Sequence, residues 1–86
     1  MTDLLSPETL AEMEKRCSEA TPGPWRSWIE GREGHYAGDS FIQTDGEDIY
    51  LSGATVADQD FIAHARQNVP RLIAEVRALR AKLGLP

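Results

Sequence analysis

The chain has a single cysteine, Cys17. It can form no internal disulfide and cannot supply the ligands of a zinc knuckle, so the fold must be held by packing, and a reducing cytoplasm suits it. No apolar run is long enough to cross a bilayer, and Met1 to Leu5 is too short for a secretion signal. Signatures of catalysis are missing too: there is no Walker loop, no Gly-x-Ser-x-Gly elbow and no zinc-protease helix. Basic residues are scarce early on. Residues 1–60 hold 13 acidic and 4 basic side chains, and the whole chain carries a net charge of −5. That balance argues against non-specific binding to DNA or RNA, which needs a basic footprint.

What remains is ordinary for a globular protein, 41% hydrophobic and 27% charged, in one expected domain spanning 1–86. A chain of 86 residues is near the small end of what folds alone, and association of copies is a natural source of added stability. Basic residues gather in the last third, where Arg66, Arg71, Arg77, Arg80 and Lys82 face one acid, Glu75. They suit a helix C-terminus, can pair with an acidic first helix, or can form an anion-binding surface.

The strongest periodicity lies in that last third. Ile62, Ala65, Val69, Leu72, Val76, Leu79 and Leu83 recur in alternating steps of three and four, the a/d spacing of one apolar helix stripe. Thr55 is placed as N-cap with Asp58 three residues on, and Gly84 as the stop. Pro70 removes a donor and disfavours a helical Val69, so the spacing predicts a helix kinked there or split into about 56–67 and 70–83. A stripe this long must cover a sheet, another helix or a copy of itself; Val69, Leu72, Val76, Leu79 and Leu83 are the expected oligomer interface.

Upstream, Ser6-Pro7-Glu8 opens an N-terminal helix, with Leu5 and Leu10 set for a staple and Leu10, Met13 and Cys17 on the buried face. On that face Cys17 reads as a small core residue, not a nucleophile. Ala20-Thr21-Pro22-Gly23-Pro24-Trp25 ends the helix in a stiff corner. Trp25 to Glu30, Phe41 to Thr44 and Asp48 to Leu51 read as strands. Asp45-Gly46 suits a two-residue turn setting Ile42 opposite Ile49 and Phe41 opposite Tyr50. The expected fold is α+β: an N-terminal helix, a three-stranded antiparallel meander, and the C-terminal helix kinked or split near Pro70.

Chemistry-bearing groupings are few. Asp60 and His64, at i and i+4, share a helix face but lack a third metal ligand. His35 sits in a predicted loop. Neither an enzyme nor a cofactor or metal is expected. Candidate ligand contacts are the corner residues Thr21, Gly23 and Trp25, with Trp28 and Tyr36 as stacking rings. Arg66, Asn68 and Arg71 flank the expected helix break, where free N–H groups could meet an anion.

Two segments together carry a resemblance: Ala20-Thr21-Pro22-Gly23-Pro24-Trp25, and Asp58-Gln59-Asp60-Phe61-Ile62-Ala63 continuing through Ala65-Arg66 to Val69-Pro70-Arg71-Leu72-Ile73-Ala74-Glu75-Val76. The pairing resembles small bacteriophage and prophage accessory proteins, including the Ead-like early-region family. It covers about half the chain, at its two ends; Arg26 to Gly53 resembles nothing named. The resemblance implies a phage origin and a place in the cytoplasm of a bacterial host. Phage genes of this size outside the virion commonly antagonise or redirect host machinery. Two readings follow: a homo-oligomeric binder that sequesters a small anionic host molecule, such as a cyclic oligonucleotide defence signal, or an inhibitor or regulator of a host or phage protein, using its acidic face against a basic partner. No membrane association is expected in either.

Overall fold

The elements begin and end on local side-chain chemistry. In the computed structural model of the chain, which describes residues 4–32 and 38–86, they run in the order α1 (Pro7–Glu19), β1 (Arg26–Trp28), β2 (Phe41–Gln43) and α2 (Val56–Leu83). Ser6 caps α1, its Oγ accepting from the Thr9 N–H at 3.0 Å, and Pro7 takes the first helical turn, where no donor is needed. At α2 the cap is reciprocal. Asp58 N–H donates to Thr55 Oγ1 at 3.0 Å, and Thr55 N–H donates to Asp58 Oδ2 at 3.1 Å. Beyond Leu83 the chain turns through Gly84 at φ +72°, a conformation costly for any side chain. Leu85 N–H then donates to Arg80 O and Gly84 N–H to Ala81 O, the paired bonds of a Schellman stop.

These elements group into two compact units. The first joins the chain up to Ala20 with Asn68–Pro86, so it contains α1 and the second half of α2. Leu10 and Ile73 are its buried side chains, while Met13 and Cys17 are half-buried. Charge helps to align the two helices: Arg80 Nη2 donates to Leu5 O at 2.6 Å and Arg77 lies 3.5 Å from Glu14. The basic tail of the chain thus meets acidic α1, one of the roles its composition allowed.

The second unit, Thr21–Gln67, holds both strands and the first half of α2. β1 and β2 pair antiparallel, with Arg26 opposite Gln43, Ser27 opposite Ile42 and Trp28 opposite Phe41. Ile42 and Ala63 are wholly buried and Ile29 nearly so. Gln59, only 4% exposed, projects from α2 among the strands. Its Nε2 lies 2.9 Å from Ser27 Oγ, 3.1 Å from Trp28 O and 3.0 Å from Phe41 O. Two amide hydrogens serve three acceptors, so one bond is shared.

Two features of the expected fold are corrected. The sheet has two strands and not a three-stranded meander. Ile42 and Ile49 do face each other as an isolated bridge, exchanging two N–H···O bonds of 2.9 Å, but no ladder extends from them. Thr44 explains the arrest. Its Oγ1 accepts from Gly46 N–H and donates to Glu47 O, both at 2.9 Å, so a side chain closes the turn where a tight hairpin would use backbone. The second concerns Pro70, where a kink or a split was expected: it lies inside one uninterrupted helix, which excludes the split alone. Proline withholds a single ladder bond. Side-chain contacts hold α2 on either side of it, from Gln59, Arg66 and Gln67 before and from Arg77 and Arg80 after.

The a/d stripe is not the buried line of α2. The buried positions are Gln59, Ala63 and Ile73. Neighbouring residues on a helix diverge by about 100°, so Ile73 turns inward while Leu72 turns out. Leu72, Leu79 and Leu83 are 62%, 50% and 72% exposed, and Val69 and Val76 are half-buried.

Gln59→Leu should lower stability by about 1–3 kcal/mol, because the bonds from its buried amide to Ser27 Oγ, Trp28 O and Phe41 O are all lost. In urea unfolding its midpoint should fall at unchanged slope, while Glu12→Gln, on an exposed face, should stay within about 0.5 kcal/mol of the parent.

Candidate functional site

The corner after α1 folds against the middle of α2, inside the second unit. The Gly23–Pro24 peptide is cis. Trp25 turns its indole back, Nε1 donating to Thr21 O at 3.0 Å, and Arg66 Nε donates to the same oxygen at 2.9 Å. Gln67 grips the Trp25 backbone at both ends: its Oε1 accepts from Trp25 N–H at 2.8 Å and its Nε2 donates to Trp25 O at 3.1 Å. Gly23 sits close by, where an added Cβ would stand 3.4 Å from Gln67 Oε1 and 3.5 Å from Arg66 Cγ.

Four of the residues expected to contact a ligand, Thr21, Gly23, Trp25 and Arg66, therefore do converge. Their polar groups largely answer one another, which makes the corner first a structural joint. Arg66 keeps its two terminal nitrogens beyond the bond from Nε. Asn68 and Arg71 are exposed residues of the first unit, and Tyr36 lies outside the described residues, as does His35. Because α2 is continuous, no second helix starts at Asn68–Pro70. The free N–H groups expected there are inside the helix ladder.

A second grouping lies on the strands. Trp28 and Phe41, opposite each other across the sheet, have ring centroids 6.4 Å apart and planes within 16°. Phe41 in turn sits 5.8 Å from Tyr50, tilted by 33°, and Tyr50 is largely exposed. At the other end the Arg26 guanidinium lies 4.0 Å from the Trp28 ring centroid. Trp28 Nε1 donates to Gln43 Oε1 at 2.9 Å, fixing the indole plane. Trp28, Phe41, Gln43 and Asp48 line a shallow depression, and the exposed carboxylates of Asp45 and Glu47 belong to the adjoining turn. Of these only Trp28 was expected at a site. The signal for the others was present in the strand register, which already sets Phe41 opposite Tyr50.

Asp60 departs from its expected partner. It makes two bonds of 2.9 Å with Arg32, Nη1 to Oδ1 and Nη2 to Oδ2. The Arg32 bonds first, then one from Ser27, hold its carboxyl below the ordinary value of 3.8, with a smaller contribution from the charge of His64. Among the described residues no group of three His, Cys, Asp or Glu side chains could hold a metal ion. Nor, among the described residues, is any helix long and apolar enough to cross a membrane. Comparison with protein-family models, with curated proteins and with solved structures finds no match.

The Asp60–Arg32 pair carries a pH signature. A carboxyl whose folded pKa is depressed stabilises the fold above its unfolded value and loses that contribution as pH falls through the folded value. In an NMR titration Asp60 should therefore reach its midpoint below 3.8, and Arg32→Gln should move that midpoint upward.

Proposed function

We propose that this protein is a non-catalytic binding protein, of the sort phage accessory genes encode, that engages a basic segment of a host or phage protein. The observation that carries this reading is the coincidence of an accessible aromatic row, Trp28, Phe41 and Tyr50, with the acidic turn Asp45, Glu47 and Asp48. Aromatic faces attract guanidinium and ammonium groups, and Arg26 over Trp28 is an internal instance of that contact. Carboxylates beside the rings favour cations and repel phosphates. The −9 balance of residues 1–60 extends the same preference over a longer range. The role that fits is inhibitor or regulator, acting in the cytoplasm of a bacterial host.

A second reading, sequestration of a small anionic molecule such as a cyclic oligonucleotide signal, draws on one feature. Arg66 is anchored through Nε at the Thr21–Trp25 corner, and its two terminal nitrogens are donors a phosphate could use. The acidic surroundings make this the weaker of the two.

Calorimetry with an Arg-rich peptide should show binding that weakens with added salt. Tyr50→Ser and Asp48→Asn, both at exposed positions, should each raise Kd about two- to five-fold with the circular dichroism spectrum unchanged. No peptide binding, together with a melting-temperature rise on adding cyclic di- or trinucleotides that Arg66→Ala abolishes, would replace the first reading by the second.

A further inference from the structure

The outward stripe on the second half of α2 has no role in the readings above. Val69, Leu72, Val76, Leu79 and Leu83 all belong to the first unit, and its three leucines are half or more exposed. Val69 and Val76 of the stripe are half-buried, while Pro7 and Leu10 of α1 share a cleft with Arg77, Arg80, Ala81 and Leu85 that is centred roughly between a quarter and a third of a turn round the helix from the stripe.

We propose that this face is a seam between two copies of the chain, with their α2 helices side by side and parallel. Three features select that occupant and that direction. In heptad terms Val69, Val76 and Leu83 stand at a, and Leu72 and Leu79 at d. β-branched residues at a with leucine at d is the combination that favours two parallel strands. The flanking charges agree. Glu75 stands at g and Arg80 at e of the next heptad, and a parallel pair brings g of one helix beside e of the other, five residues on. Glu75 of each copy then meets Arg80 of the other, twice by symmetry. An antiparallel pair, which packs a against d, would instead set Glu75 beside Lys82 of the other copy, so the partner of Glu75 tells the two directions apart. Arg80 can serve both partners, since its bond to Leu5 O uses Nη2 and a guanidinium carries five N–H donors. The seam ends with the helix itself, at the Gly84 stop.

Sedimentation equilibrium of the full chain should give a dimer at tens of micromolar. Leu79→Asp should weaken it at least ten-fold, with helix content by circular dichroism unchanged. Direction is read by cross-linking. With Cys17→Ser to remove the native thiol, Leu83→Cys should form a disulfide with itself under mild oxidation, because parallel helices place position 83 opposite position 83. An antiparallel pair packing a against d places it beside Leu72, about 16 Å from its own copy. Glu75→Arg should weaken the dimer, and Glu75→Arg with Arg80→Glu should restore it. A monomer at 100-fold higher concentration overturns the proposal. So does a dimer that neither cross-links through position 83 nor responds to Leu79→Asp.

Discussion

The second unit depends on a helix face that is polar where packing would ordinarily ask for carbon. Gln59, Ala63 and Gln67 follow one another at intervals of four along α2, and their side chains meet the first strand and the corner before it. Ala63, wholly buried, lets the backbones come close. Gln59 and Gln67 then fill the remaining space with amides that match the peptide groups they touch. Strands of three residues would be marginal by themselves. Here helix side chains supply part of what further strands would have given. This arrangement makes the unit intolerant of plain hydrophobic replacement, since losing several hydrogen bonds of a buried amide costs more than added apolar contact returns.

The same kind of contact joins two segments distant in sequence. The Thr21–Trp25 corner and the Arg66–Gln67 stretch bind one another directly. The segment between them, in which the aromatic row and the acidic turn lie, is tied to α2 separately, through Gln59.

What could be read in advance was local. Ser6 with Pro7, Thr55 with Asp58, and Gly84 each act within a turn or two of themselves, and each marks its helix boundary as expected. Ile42 opposite Ile49 was legible for the same reason. The misses came from competition. Thr44 offers the turn a hydroxyl that replaces backbone pairing, so the third strand stops at one bridge. Pro70 breaks a helix in isolation, yet contacts on both sides outweigh one missing bond. Gln59 and Gln67 drew no reading as structural residues, because their partners lie 18 to 42 residues away in sequence. Of the residues singled out for a site, Thr21, Gly23, Trp25 and Arg66 lie together but largely bond one another, while the free N–H groups looked for at a helix break are absent because α2 is unbroken.

Gln67 has one more consequence. Trp25 leads into β1, and its backbone N–H and C=O are both held by the Gln67 amide much as a neighbouring strand's peptide would hold them. That margin of the sheet is closed at Trp25 against a visiting strand, so β-augmentation finds no foothold there. A partner that approaches at Trp25 must therefore be met by side chains.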